Sequence, residues 1–204
     1  MSTPSTSAPI KWPEPVTLEG TIVTLVPLTQ AHAADLAEAS ADGGLENLWY
    51  TSVPAPDAVA GDIDKRNALA TMQPFAVIEN ASGKAVGMTT YLNNDQAHKR
   101  VEIGGTWYRK SVQRSGLNTE CKFLLLRHAF ETLGCNVVEF RTHFINAQSR
   151  RAIERLGAKL DGILRNHMIM ANGTMRDTAV YSIITSEWPS VKTHLQWQRA
   201  KPRG

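Results

Sequence analysis

The sequence predicts a single domain of mixed α/β class, and three observations support that prediction. The chain has 204 residues, a length typical of one substantial domain. Hydrophobic residues make up 42% and charged residues 20% of the chain, which is the composition of a globular protein with a buried core. Strand and helix patterns follow one another in the order β-α-α-β-β-β-α-β-α-β-β, without an internal repeat or a clear linker.

The N-terminal part of the chain predicts a leader, a strand and a helix. Residues 1–15 are rich in Ser, Thr, Pro and Ala, so we expect a disordered leader. Residues 20–28 are rich in β-branched side chains and predict the first strand. Thr29 is a suitable N-cap for a helix over residues 31–40.

The rest of the chain alternates between strands and helices. Apolar residues spaced at i, i+3, i+4 and i+7 predict a strong helix over residues 119–133. Asn172-Gly173 is a hairpin turn signal between two strand patterns. The remaining predicted strands are residues 74–79, 85–92, 101–108, 137–142, 160–170 and 174–184. The other predicted helices are residues 57–72, residues 147–156 and a short amphipathic helix from residue 188.

Composition and charge exclude several classes of protein. Lys and Arg number 22 and Asp and Glu number 19, and a net charge of +3 does not predict direct nucleic-acid binding. No segment approaches the ~18 consecutive apolar residues of a membrane span, and the N-terminus lacks the apolar core of a secretory signal. The two cysteines, Cys121 and Cys135, are 14 residues apart and predict neither a disulfide framework nor a metal site. We therefore expect a cytoplasmic protein without a metal.

The segment Gln113-Arg114-Ser115-Gly116-Leu117-Asn118 joins a predicted strand to the strong helix. Backbone N–H groups at a helix N-terminus have no helical partner, and the helix dipole favours negative charge there. Such a turn is suited to a phosphate group, with Arg114 adding a cation. It equally fits an ordinary turn with Asn118 as the N-cap. Its glycine spacing is neither that of a Walker loop nor that of a dinucleotide fingerprint.

Two features together resemble the GCN5-related N-acetyltransferases (GNAT). Gln113-x-x-Gly116 resembles that family's acetyl-coenzyme A loop, although Asn118 stands where the family has a small residue. Asn146-x-x-Ser149 followed by Leu156-Gly157-Ala158 resembles its segment near the pantetheine arm. The resemblance implies acetyl-CoA as cosubstrate and a central, mostly antiparallel sheet that splays between residues 101–108 and 137–142. The cofactor-binding residues that it implies are Gln113, Arg114, Ser115, Gly116, Leu117, Asn118, Thr119, Asn146 and Ser149.

Within that family the chain is most similar to the RimJ/RimL-like branch. The similar segments are Leu18-Glu19-Gly20, Val101-Glu102-Ile103-Gly104, Asn118-Thr119-Glu120 and Arg176-Asp177. The likeness covers about residues 16–190, which we assign to one domain, with residues 191–204 as a basic C-terminal tail. Members of the branch acetylate protein N-termini as well as small amines, so the acceptor stays open.

Acetyl transfer requires a neutral amine, and a lysine-type amine has a reference pKa of ~10.4. Glu102, on the strand before the loop, is the expected general base, because histone-acetylating relatives carry a Glu at the matching offset. A purely structural role for Glu102 is the alternative. In many relatives a Tyr seven residues after the position of Asn146 serves as the general acid, and this chain has Ile153 there. Ser149 is the nearest replacement as a donor to the leaving sulfur; its alternative role is to cap the helix.

The acceptor side is assigned from aromatic and histidine side chains. Trp49, Tyr50, Trp107 and His167 are the candidate residues for binding the amine, and core or rim packing is the alternative for the aromatic residues. The expected reaction is direct transfer from acetyl-CoA to a primary amine of a peptide or small molecule. A module that binds acetyl-CoA without catalysis is the alternative function. Residues 187–197 are the candidate contact of a homodimer.

Overall fold

The computed structural model describes residues 12–51 and 53–201. Among them, none of the helices is both long and apolar enough to span a membrane. The strands are β1 (Leu18–Glu19), β2 (Val23–Pro27), β3 (Gln73–Glu79), β4 (Ala85–Asp95), β5 (Arg100–Tyr108), β6 (Val137–His143), β7 (Lys159–Ile169) and β8 (Met175–Ile184). The helices are α1 (Ala33–Ala41), α2 (Val59–Ala68), α3 (Leu117–Arg127), α4 (Ala147–Glu154) and α5 (Trp188–Ala200).

The strands form one sheet in the order β1-β2-β3-β4-β5-β6-β8-β7. Every neighbouring pair is antiparallel except β5 and β6, which are parallel. That parallel pairing covers only Arg100, Val101 and Glu102 of β5, after which the two strands separate. The predicted fold class, a mostly antiparallel sheet that splays at this point, is confirmed.

Helices cover both faces of the sheet. The larger buried cluster joins the sheet to α3, α4 and α5, through residues such as Leu124, Ile153 and Val191. The smaller cluster joins the other face to α1 and α2, through Leu36 and Ile63. Burial of these apolar side chains is the main source of stability in such a layered domain.

Most element boundaries lie within a few residues of the predicted ones. The strand predicted over residues 20–28 is shorter, as β2, and the two-residue strand β1 precedes it, because Gly20 N–H bonds the Val23 carbonyl and forms a turn between them. The second helix ends at Ala68, since Leu69 is extended. The hairpin turn at Gly173 is confirmed, with a left-handed φ of 81°. The long helix starts at Leu117, earlier than predicted, and continues past Arg127 as a π-helical turn.

The two ends of the domain reach beyond the predicted boundaries. The leader assigned to residues 1–15 lies mostly outside the described residues, and Trp12 packs against the core. The boundary at residue 190 falls inside α5, whose Val191 and Leu195 are buried in the core. The homodimer contact through residues 187–197 stays a prediction; α5 leaves Trp197 exposed on its outer side.

Gly87 lies where the backbones of β4 and β5 are in close contact. A Cβ on Gly87 would lie 2.2 Å from the Trp107 carbonyl oxygen and 2.8 Å from Tyr108 Cα, so the two strands must separate to admit it. We expect Gly87→Ala to lower the free energy of unfolding by about 2–4 kcal/mol, measured by urea denaturation. The matched control is Gly61→Ala in α2, where nothing lies within 4 Å of the new Cβ. It should raise stability by about 0.5–1 kcal/mol, and equal behaviour of the two variants would contradict this account.

Candidate functional site

The separation of β5 from β6 leaves one edge of β5 open. Beyond Glu102, β5 has no partner on β6, and Gly104, Gly105 and Thr106 are partly exposed. Gly105 and Thr106 of β5 here face the single residue Thr89 of β4, which is a β-bulge, and Gly105 has a left-handed φ of 56°. Bulges turn backbone groups toward functional sites. This edge can therefore offer main-chain hydrogen bonds to an extended ligand.

A buried lysine ties α3 to this bulge. Lys122 Nζ donates to Thr106 Oγ1 at 2.6 Å and to Thr89 Oγ1 at 3.2 Å. The two hydroxyls also bond each other, at 2.7 Å. Burial lowers the pKa of Lys122 to about 8. Sequence analysis did not identify Lys122, because its place on an apolar helix gives no signal of a polar partner.

The loop before α3 presents unpaired backbone donors. Within the residues that the structure describes, the N–H groups of Arg114, Ser115, Gly116, Asn118 and Thr119 make no hydrogen bond. Arg114 has a left-handed φ of 63°, which is uncommon for a residue with a side chain. A positive φ at such a position turns consecutive N–H groups toward one side, the arrangement that binds anions. The loop geometry therefore suits a phosphate.

Polar side chains hold this loop in place. Ser115 Oγ donates to the Val112 carbonyl at 2.7 Å and accepts from Leu117 N–H at 3.2 Å. The N-cap position of α3 is Gly116, so the interpretation of Asn118 as N-cap is wrong. Asn118 Oδ1 instead accepts from the hydroxyl of Tyr108 at 3.0 Å and fastens the first turn of α3 to the end of β5. The departure from a small residue at this position thus has a structural use.

Gln113 also fixes the loop, and its side chain points back to the strand. Its Nε2 donates to the Tyr108 carbonyl at 3.0 Å. Gln113 therefore supports the turn between β5 and the loop, and its amide is engaged within the chain.

A basic cavity of about 590 Å³ opens between this loop and α4. Its lining residues are Arg114, Gln148, Arg151, Glu154 and Arg155. Three arginines against one glutamate favour an anionic ligand that carries more than one charge. Arg150 is engaged elsewhere, since its Nε donates to the Tyr181 hydroxyl at 2.9 Å.

The start of α4 leaves a serine hydroxyl free. Asn146 is the N-cap of α4, and its Oδ1 accepts from Ser149 N–H at 3.0 Å. The alternative in which Ser149 caps the helix is therefore wrong. Within residues 12–51 and 53–201, the Ser149 hydroxyl makes no hydrogen bond. Ile153 is buried in the core, so it contributes packing and offers no proton donor.

Glu102 lies where β5 and β6 separate, opposite Glu139. It is 5% exposed, and its Oε2 accepts from Asn93 Nδ2 at 2.7 Å. Arg141 Nε is 3.5 Å from the same oxygen. Burial raises the pKa of Glu102 above its ordinary value, against the opposing effects of Asn93 and Arg141. A carboxylate with a raised pKa at the apex of an open cleft is suited to act as a general base.

Residues from the α1–α2 loop and from the last strands meet on the same face of the sheet. Trp49 contacts His143 edge to face, with ring centroids 5.5 Å apart, and Tyr50 at 5.8 Å. His143 on β6 lies opposite Thr178 on β8, and His167 Nδ1 is 3.1 Å from Thr178 Oγ1. The structure thus brings Trp49, Tyr50 and His167 into one neighbourhood around His143.

Trp107 lies in a different environment from these residues. It is 6% exposed and packs in the cluster beneath α1 and α2. Its indole Nε1 is buried without a partner among the described residues. The structure therefore separates Trp107 from the Trp49–His143 contact, and core packing accounts for it.

Comparison with known proteins adds independent evidence. The sequence profile of the acetyltransferase (GNAT) domain matches residues 23–159. No curated protein sequence matches the chain significantly. A GCN5-related N-acetyltransferase from Brucella melitensis is similar to it in crystal structure, with 35% identity, 92% of this chain and 87% of that chain covered and a TM-score of 0.85. The crystal structure of a putative acetyltransferase from T. thermophilus is 31% identical to this chain and has a TM-score of 0.82. The match covers 92% of this chain and 98% of that chain.

A third structure extends the likeness of fold. Mycobacterium smegmatis RimJ, solved in complex with CoA-disulfide, superposes with a TM-score of 0.73 at 22% identity, covering 92% of this chain and 96% of that chain. Its identity is low, so it supports the fold alone. The profile match, the 35% identical structure and the splayed sheet agree. The chain therefore belongs to the GNAT family of acetyltransferases.

Proposed function

We propose that this N-acetyltransferase moves the acetyl group of acetyl-CoA to a primary amine by direct attack on the thioester, without an acyl-enzyme. The observation that carries the proposal is the placement of Glu102 at the apex of the splay, beside the open edge of β5. Acetyl-CoA is the cosubstrate, as in the family. The amine is a protein N-terminal amine or a small-molecule amine.

The cosubstrate fits the residues on one side of the cleft. The unpaired N–H groups of the loop at Arg114–Thr119 are suited to its pyrophosphate. Arg151 and Arg155 in the basic cavity are suited to further phosphate charge. The open edge of β5 suits the amides of the pantetheine arm, and Asn146 fixes the start of α4 beside that arm.

The proposed reaction needs a proton acceptor for the amine and hydrogen-bond donors for the oxyanion and the leaving thiolate. The incoming amine loses its proton to Glu102, directly or through a water, and its nitrogen forms the new bond to the acetyl carbon. A backbone N–H of Gly104–Trp107 stabilises the oxyanion. The carbon–sulfur bond breaks, and the free hydroxyl of Ser149 donates a hydrogen bond to the thiolate. A thiol pKa of ~8.5 makes the thiolate a good leaving group with this modest assistance.

We also propose that the chain belongs to the RimJ/RimL-like branch. The segment Val101-Glu102-Ile103-Gly104 and the pair Arg176-Asp177 support this. RimJ from M. smegmatis and a putative ribosomal-protein-serine acetyltransferase from Vibrio cholerae share the fold, at 22% and 20% identity. The branch does not by itself choose between peptide and small-molecule acceptors.

The test of this function is acetyl-CoA-dependent thiol release with a panel of amines. The panel contains free amino acids, peptides with different first residues, polyamines and an aminoglycoside. Release that requires both the protein and one class of amine, with the acetylated amine identified by mass, supports the proposal. Binding of acetyl-CoA without release on any amine would instead support the non-catalytic module.

Ser149→Ala tests the assistance to the leaving thiol. We expect kcat to fall about 10- to 100-fold, because a hydrogen bond to a charged acceptor such as the thiolate contributes roughly 1.5–3 kcal/mol. The dissociation constant of acetyl-CoA should not change, since the cap of α4 uses Asn146 Oδ1 and the Ser149 backbone. Asn146→Ala is the comparison, because it removes the cap and should affect stability as well as binding. Unchanged kcat in Ser149→Ala would exclude the proposed role.

A further inference from the structure

Arg176 on β8 is a half-buried arginine without a carboxylate partner. Its Nε donates to Thr178 Oγ1 at 3.0 Å, and among the described residues no Asp or Glu lies within ion-pair distance of its guanidinium. Burial lowers the pKa of Arg176, while the charge of Glu102 raises it. The two Nη groups have no hydrogen-bond partner among the described residues, so the guanidinium is able to bind an anionic group.

The neighbouring carboxylates are already neutralised. Asp177 pairs with Arg165 at 2.6 Å and accepts from Asn166 N–H at 2.8 Å. Glu139 pairs with Arg100 and, at 2.9 Å, with Arg141. Both carboxylates are thus paired with arginines other than Arg176.

His143 supplies a second, independent donor in the same place. It is 5% exposed, and its Nδ1 accepts from Ile145 N–H at 3.3 Å. Burial lowers the pKa of His143, so the ring is neutral, and its remaining proton lies on Nε2. Nε2 is buried without a partner among the described residues. His143 lies opposite Thr178, the residue that holds Arg176. The Nε2 of His143 on β6 and the Nη groups of Arg176 on the adjacent β8 are therefore donors without an acceptor among the described residues.

Glu102 supplies the other end of the site. Arg141, whose Nε lies 3.5 Å from Glu102 Oε2, precedes His143 by two residues on β6, so these two side chains leave the same face of the sheet. An acceptor whose amine lies at Glu102 can therefore extend along this face toward His143 and Arg176. This arrangement is complementary to a molecule that carries both an amine and a carboxylate.

We infer that the acceptor is an amine with a carboxylate close to its amino group, bound through Arg176 and His143. This inference rests on the proposed acetyl transfer. The amine is acetylated at Glu102, and the carboxylate accepts from the guanidinium of Arg176 and from His143 Nε2–H. Two classes of molecule have an amine with a carboxylate near it: free α-amino acids, and peptides whose first residue is Asp or Glu. Polyamines and aminoglycosides lack the carboxylate.

The experiment compares kcat/KM for paired acceptors. The pairs are each free amino acid with its C-terminal amide, and peptides that begin with Asp or Glu with those that begin with Asn or Gln. We expect the carboxylate member to be preferred at least tenfold in one set of pairs, which identifies the source. Arg176→Gln should lower kcat/KM for the preferred acceptor by roughly 10- to 100-fold, the range for a lost charge-assisted hydrogen bond. It should leave the uncharged partner nearly unchanged.

The control variant is Arg127→Gln, which removes an exposed arginine of α3 and should keep the preference. A preference for polyamines or aminoglycosides, equal use of both members of every pair, or an unaltered preference in Arg176→Gln would overturn the inference. Acetyl-CoA binding separates this failure from failure of the proposed function. If acetyl-CoA binds and uncharged amines are acetylated, the function stands and the inference falls; if acetyl-CoA does not bind, both fall.

Discussion

Glu102→Gln is expected to lower kcat by about 10²–10⁴-fold, the usual contribution of a positioned general base. The side chain is buried where β5 and β6 separate, and the amide keeps its size while losing the ability to accept a proton. Because Glu102 lies away from the loop at Arg114–Thr119, the dissociation constant of acetyl-CoA should stay the same. Single-turnover kinetics with a saturating acceptor measures the effect. Full turnover in this variant would remove Glu102 from the mechanism.

The pH dependence of the same variant gives a second readout. Burial raises the pKa of Glu102, so kcat/KM of the wild-type protein should fall as the pH drops through that raised pKa. Glu102→Gln should lack this acidic limb.

The effect of pH on stability has the opposite direction. A carboxyl group whose pKa is higher in the folded than in the unfolded state contributes its full stabilisation below the unfolded pKa, and this stabilisation is lost as the pH rises through the folded pKa. At neutral pH the Gln variant should therefore be at least as stable as the wild type in urea denaturation.

Replacement of both Arg151 and Arg155 by Gln should weaken acetyl-CoA binding by about 10²-fold. Both arginines line the basic cavity beside the loop, and each charge-assisted bond to a phosphate contributes roughly 1.5–3 kcal/mol before solvent screening. The effect should shrink at high salt, because the cavity is open to solvent. Titration of acetyl-CoA by calorimetry at two salt concentrations measures it.

Acetyl-pantetheine, which lacks the nucleotide phosphates, is the matched control ligand. The double variant should use it as well as the wild-type protein does, since the pantetheine arm is assigned to β5 and α4. Arg165→Gln, which removes an exposed arginine on β7, should bind acetyl-CoA normally. Equal loss with both ligands would show that the arginines support the fold of α4 rather than the phosphates.

Local sequence signals predicted much of the fold because local physics determines those parts. Asn172-Gly173 specifies the hairpin of β7 and β8 through the positive φ of Gly173. The apolar rows on α3 predicted its burial, and Leu124 and Leu125 are buried as expected. The strand β1 and the turn that follows it were not predicted, because a turn at Gly20 depends on a hydrogen bond to Val23 that periodicity does not show.

The candidate site was harder to predict than the fold, because the partners of its side chains depend on how the strands pair across the sheet. One interpretation of the loop made Asn118 the N-cap of α3, but Asn118 Oδ1 instead accepts a hydrogen bond from the Tyr108 hydroxyl. Trp107 was expected on the acceptor side, yet it lies in the core beneath α1, since the bulge at Gly105 changes the alternation along β5. Asp177 forms its ion pair with Arg165 of the neighbouring strand and not with the adjacent Arg176. Such choices among partners depend on strand register, which single-sequence patterns do not supply.

The most direct test of the central claim is the thermal stability of the protein as acetyl-CoA is titrated, with adenosine diphosphate and NAD as controls. At ~100 times the dissociation constant, binding adds about 2.7 kcal/mol to the stability of the folded state. For a domain of this size, Tm should then rise by about 5–10 °C. The account predicts such a shift with acetyl-CoA and much smaller shifts with the two controls. An unchanged Tm at saturating acetyl-CoA would contradict it and reduce the loop at Arg114–Thr119 to an ordinary turn between strand and helix.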